Sequence, residues 1–139
     1  MEKTPLELAT YMLNQDYFSQ WLGVELVDIK EKYCLIKMPI KKDMINGLRT
    51  VHGGVTFAFA DSALAFSSNN TNDASVALNC VINFTKAVHE GDVLFAESIL
   101  ISDTRKTGIY DIKITNQNKD LMATFRGTVY KLGKKVTDL

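Results

Sequence analysis

His52-Gly53-Gly54-Val55-Thr56-Phe57-Ala58-Phe59-Ala60-Asp61-Ser62-Ala63-Leu64-Ala65-Phe66 reads as the start and body of a helix with almost no polar face. A helix that is small or apolar around its whole circumference is either wrapped by other structure or crosses a membrane. Predicted over residues 53 to roughly 69, this one is short for a span, carries an internal acid and lacks flanking anchors, so wrapping is expected. Gly53 and Gly54 let a backbone or a ligand come close where the helix begins. A helix start also exposes unpaired N–H groups and the positive end of the dipole, which suits a developing oxyanion. Asp61, eight residues on, interrupts the apolar run. A carboxylate there is expected to be mostly buried, and buried acids are rarely incidental.

Ahead of this helix, Thr4-Pro5 supplies a cap and a first-turn proline for an amphipathic helix through about Asn14. A second short helix is predicted over residues 17–22, with Phe18, Trp21 and Leu22 inward and Gly23 ending it. Residues 24–29 and 33–40 read as a hairpin across Lys30-Glu31-Lys32, and a loop over residues 41–52 leads to the principal helix. After a polar stop at residues 69–73, four strands are predicted at residues 74–88, 92–103, 108–118 and 121–132. The turns between them are short, so successive strands are expected to pair antiparallel. Two strands, a buried helix and four more strands predict an α+β domain over residues 1–139, one antiparallel sheet curled around a long central helix.

The 139 residues carry 16 basic and 16 acidic side chains, net charge zero, so no broad attraction to nucleic acid or an anionic membrane follows. Cys34 and Cys80 lie far apart in apolar runs without metal-type spacing, which predicts reduced, packed thiols. No signal-type segment opens the chain and no apolar run approaches a membrane span, so a soluble cytoplasmic protein is expected.

The residues Asn46-Gly47, His52-Gly53-Gly54, Phe57 and Ala60-Asp61, with the element order around them, resemble the hotdog-fold acyl-CoA thioesterases, in which the sheet is the bun and the helix the filling. The likeness runs roughly from Asn14 to the end and is greatest to the phenylacetate-degradation branch. It includes Asn83-Phe84, Gly91-Asp92, Lys106-Thr107-Gly108-Ile109-Tyr110-Asp111-Ile112 and Phe125-Arg126-Gly127. It implies thioester hydrolysis, with phenylacetyl-CoA or a hydroxylated relative as substrate, no metal, and no cofactor other than the coenzyme A of the substrate itself.

By the same resemblance, Gly53 offers its N–H to the thioester oxygen and Asp61 either activates water or attacks directly. Asn46 positions water or the carbonyl, or serves only as a turn residue beside Gly47. His52 orients the loop near the carbonyl or is structural. Gly54 and Phe57 belong to the substrate pocket, with Phe59 beside them or as plain core. Arg105 and Lys106 are candidates for the CoA phosphates, with Arg126, Lys131, Lys134 and Lys135 as further basic choices. Where related thioesterases of another acyl preference carry a water-placing hydroxyl, this chain has Ala77.

Gly53 and Asp61 are separated by about 12 Å along a helix and about 80° around it, too far for one thioester to touch both within a subunit. Two helices packed antiparallel would bring Gly53 of one chain opposite Asp61 of another, so a homodimer with two shared sites is expected. The resemblance implies the same, often with dimers pairing into tetramers. A hotdog dehydratase and a non-catalytic acyl-CoA-binding module stand as alternatives. No G-x-S-x-G, P-loop or dinucleotide fingerprint is present.

Overall fold

The computed structural model describes residues 2–139. Helix α1 (Pro5–Leu13) begins as its sequence requires: Thr4 Oγ1 accepts the Glu7 N–H at 3.2 Å, and Glu7 reaches back to the Thr4 N–H. Helix α2 (Tyr17–Leu22) is capped by Asp16 and stopped by Gly23 in the left-handed conformation. Strands β1 (Glu25–Lys30) and β2 (Tyr33–Pro39) form the expected hairpin. Helix α3 (Gly53–Ser68) follows, and then β3 (Asp73–Phe84), β4 (Val93–Asp103), β5 (Thr107–Thr115) and β6 (Leu121–Lys135). Among the described residues no helix is long and apolar enough to cross a membrane.

All six strands join one sheet in the order β1-β2-β4-β5-β6-β3, every neighbour antiparallel. The α+β arrangement is as expected, but one pairing corrects the sequence reading. β3 and β4 do not form a hairpin: β4 pairs with β2, and β3 crosses to the far side to pair with β6. Residues 85–92 form a connection, not a tight turn. Its Val88 O accepts the Val51 N–H at 2.8 Å, which ties it to the loop before α3. β3 is thereby an edge strand.

Inward-facing residues alternate along the strands: Cys34, Ile36 and Met38 on β2, Leu94 and Ala96 on β4, Tyr110, Ile112 and Ile114 on β5. They meet Phe59, Ala63 and Phe66 of α3, which packs against β2 through β6. At Gly127 on β6 the helix comes so close that a Cβ would lie 2.6 Å from Leu64 Cδ2. Cys34 and Cys80 are both free thiols, the first buried and the second partly so.

Two burial expectations are corrected. Phe18 and Trp21 are 52% and 67% exposed, and the inward stripe of α2 is Ser19 and Leu22. With only six residues, α2 has one buried face, so the two aromatic rings pair outside it, tilted by 41° with centroids 5.9 Å apart. α3 is not wrapped all round either. Gly54 and Asp61 are exposed and Ala58 and Ala65 only partly buried, and these four, spaced i, i+4, i+7 and i+11, make one uncovered stripe.

Candidate active site

The loop before α3 builds the helix start. Asn46 Oδ1 accepts the Leu48 N–H at 2.8 Å and the Thr50 N–H at 3.3 Å, while the Asn46 N–H donates to Thr50 O. The turn reading of Asn46 is thus realised by its oxygen, and its side-chain NH₂ has no acceptor among the described residues. His52 is the N-cap of α3: its Nδ1 accepts the Gly54 N–H at 2.9 Å. An accepting Nδ1 in a neutral ring leaves the proton on Nε2. A Cβ at residue 54 would lie 2.9 Å from that Nδ1, so the cap requires Gly54.

The Gly53 N–H has no hydrogen-bond acceptor among the described residues, as expected of the first residue of a helix. Gly53 lines a cavity of about 390 Å³ together with Val51, Thr56, Phe84, Lys86, Val88 and Met122. Phe84 fixes the approach: a Cβ on Gly53 would stand 3.1 Å from its ring. The Thr56 hydroxyl, buried in this wall, has no partner among the described residues. Phe57 turns elsewhere and packs edge-on against Phe125, centroids 5.3 Å apart, and Phe59 is wholly core.

Asp61 corrects the expectation of burial: its side chain is exposed at the surface of the single chain, on the uncovered stripe of α3. It lines a second cavity of about 230 Å³ with Ser68, Asn69, Ser75, Ala77 and Val129. The two cavities have no lining residue in common. No hydrogen bond or ion pair satisfies the carboxylate among the described residues. Desolvation by the surrounding protein raises its pKa above the ordinary value, and the negative charge of Asp16 adds to the rise. Ala77 carries no hydroxyl, but Ser75 and Ser68, 3.1 Å apart, bring two to the same cavity.

The basic candidates separate. Arg105 and Lys106 flank a surface cavity of about 500 Å³ with Lys131 and Lys134. Lys131 is committed to Asp103, which also holds Lys32 at 2.7 Å, and the two cations keep that carboxyl below its usual range. Arg126 stands apart from that cavity, its guanidinium paired with Asp111 through two bonds of 2.6 and 2.8 Å.

The thioesterase superfamily model matches residues 48–123, which span the His52-Gly53-Gly54 corner, Asp61 and strands β3 to β5. The chain belongs to the thioesterase superfamily. This thioesterase is 33% identical over 129 residues to the acyl-coenzyme A thioesterase PaaI of Escherichia coli K12, covering 93% of this chain and 92% of that one. The solved structure of the E. coli PaaI protein, from the phenylacetic acid degradation operon, superposes with a TM-score of 0.93 over 94% of this chain and 95% of that one, at 32% identity. A Streptococcus mutans UA159 protein solved with bound acetyl-CoA matches with a TM-score of 0.78 at 26% identity, over 81% of this chain and 90% of that one. The fold is the hotdog fold, and the chain is a thioester hydrolase.

Thr56, Phe84, Lys86 and Met122 are neighbours of the Gly53 corner that sequence reasoning missed. Three of them reach it from β3, β6 and the 85–92 connection, and only Thr56, one helical turn after Gly53, carried a local signal.

Proposed function

We propose that this thioesterase hydrolyses aryl-acetyl thioesters of coenzyme A, phenylacetyl-CoA or a ring-hydroxylated form, at two equivalent sites shared across a homodimer. The carrying observation is the separation of the Gly53 N–H from the Asp61 carboxylate: each opens on its own cavity of the single chain, and each lacks a partner there. The edge strand β3 supports the dimer. Val76, Leu78, Val81 and Phe84 are exposed on it, Leu78 at 64%, and among the described residues no strand pairs with its outer edge. A second copy added antiparallel along β3 would extend the sheet and cover these residues. It would also lay its α3 beside the uncovered Gly54-Ala58-Asp61-Ala65 stripe.

In such a pair the Gly53 N–H donates to the thioester oxygen, assisted by the helix dipole and by the free NH₂ of Asn46. The His52 Nε2–H stands at the same corner. Asp61 of the second copy takes a proton from water as the water oxygen bonds to the acyl carbon, or bonds to that carbon itself. The C–S bond then breaks, the electron pair stays on sulfur, and the thiolate of coenzyme A leaves; on the second route water then cleaves the acyl–Asp61 anhydride, releasing the acid and restoring the carboxylate. Phe84, Val88 and Met122 offer an apolar wall, with the unpartnered Thr56 hydroxyl as its polar point. β3 runs about 36 Å from Asp73 to Phe84, and antiparallel pairing sets one copy's Asp73 end against the other's Phe84 end. The Arg105-Lys106 cavity, which Asp73 also lines, then lies beside the other copy's Gly53 corner, where the CoA phosphates can meet it. The aryl-acetyl group is supported by the E. coli relative and its operon. A cytoplasmic location agrees with two unpaired thiols.

The test is thiol release from a panel of CoA esters. Aryl-acetyl esters are expected to be cleaved fastest, and Asp61→Asn to lose about 10²–10⁴-fold in kcat. Wild-type protein no faster than that variant would leave a binding module. Consumption of hydroxyacyl-CoA without free thiol would leave a dehydratase.

A further inference from the structure

Ser62 follows Asp61 on α3 but turns away from the open stripe, into the junction with α2. Its hydroxyl lies 2.8 Å from Ser19 Oγ, and both serines are buried. Ser19 Oγ donates in turn to Asp16 Oδ2 at 2.5 Å, while Asp16 Oδ1 accepts the Ser19 N–H at 2.9 Å. A hydroxyl has one proton to give. Since Ser19 gives its own to the Asp16 carboxylate, Ser62 is the donor to Ser19, and the chain runs in one direction, from Ser62 through Ser19 to Asp16. Both oxygens of Asp16 are therefore held on the first turn of α2, and α2 is held on the turn of α3 that carries the reacting carboxylate.

An N-cap needs only the backbone contact. The second oxygen, bound through a buried serine to α3, does something further: it fixes where the Asp16 charge stands relative to Asp61. The titratable groups whose charge couples to Asp61 are Asp16, from the start of α2, and the Cys80 thiol of β3, which burial pushes up first and the Asp61 charge second. Neither is a cation, and nothing on α3 itself neutralises the site.

We propose that Asp16 is a positioning residue for hydrolysis: the directed chain Ser62–Ser19–Asp16 anchors α2 against α3 and holds a second negative charge at a fixed place facing Asp61. The inference rests on Asp61 being the group that reacts. A like charge favours the protonated carboxyl, so it moves the pH at which Asp61 becomes competent upward. α1 and α2 thus act on the chemistry as well as on the core.

The pH profile of kcat/KM tests this. Asp16→Asn keeps an oxygen for the Ser19 N–H and removes the charge. Its acid limb is expected to shift to lower pH by about half a unit or more. A limb that stays in place, or moves up, overturns the proposal. A merely structural Asp16 would lower the melting temperature and scale the rate alike at every pH. If Asp16→Asn does not fold, Ser62→Ala cuts the chain while leaving the charge on a freer side chain. A smaller downward shift is then expected, and an unmoved limb again overturns the proposal. Asp61→Asn keeps the two failures apart. If it still hydrolyses, the reading of Asp61 is wrong; if it is inactive and Asp16→Asn is unshifted, only the role of Asp16 is wrong.

Discussion

At the scale of single residues, this site consists of groups that the chain leaves unsatisfied. Among the described residues the Gly53 N–H and the Asn46 NH₂ lack acceptors, the Thr56 hydroxyl lacks any partner, and Asp61 has neither a donor nor a cation. Such groups cost stability and are retained where a substrate or a second chain completes them. Asp61 gives this a sign. Its folded pKa lies above its unfolded value, so the ionised form disfavours the native state. That penalty is complete above the folded pKa and vanishes below about 3.8. Asp61→Asn should therefore melt higher than wild type at pH 7 to 8, with the gain shrinking as pH falls toward 3.8. Thermal melts of both proteins across this range check it, and an advantage that grows on acidification would contradict it.

At the scale of elements, α3 is positioned by a few close contacts. Ser67 Oγ bridges it to Ser98 on β4 at 2.7 Å, and the Asn70 side chain holds the β1–β2 turn through Lys30 O and the Lys32 N–H. The tightest approach is Leu64 over Gly127. Leu64 is fully buried and cannot swing aside, so Gly127→Ala should cost about 1–3 kcal/mol through overpacking. Trimming the opposing side chain should relieve the clash: in a denaturant double-mutant cycle, Leu64→Ala combined with Gly127→Ala should cost less than the sum of the two single changes. Additive losses would show that another contact limits the approach. Because α3 carries both Gly53 and Asp61, Gly127→Ala should also depress turnover beyond its effect on folding.

At the scale of the whole molecule, the open edge of β3 and the uncovered stripe of α3 lie on the side that a second copy would occupy. If the sites are shared, two inactive variants can rescue each other. Mixing Asn46→Ala chains with Asp61→Asn chains in equal amounts, with exchange verified by mass-tagged subunits, should restore about one quarter of wild-type activity. Half the dimers are then mixed, and each mixed dimer has one intact site. Activity that stays at the level of the separate variants after proven exchange would place both groups of a site in one chain. A charge placed on the β3 edge, as in Val81→Lys, should yield monomers that retain the far-ultraviolet circular dichroism of the fold and lose hydrolysis.

The sequence by itself determined the elements and the location of the candidate corner at the start of α3. Thr4-Pro5, Gly23 and His52-Gly53-Gly54 act through local backbone geometry, and period-two alternation marks a strand before its partner is known, so both could be read along the chain. The distance from Gly53 to Asp61 also followed from helix geometry alone. Only the tertiary structure decided which strand lies at the edge, since the short link after β3 gives no sign that it passes β6 and β5 to reach β4. It likewise decided that Asp61 faces outward, that Ser19 and Leu22 rather than Trp21 point into the core, and that Ser19 meets Ser62 across 43 residues. Each of these depends on which face of one element is covered by another distant in sequence, and a local pattern holds no information about that.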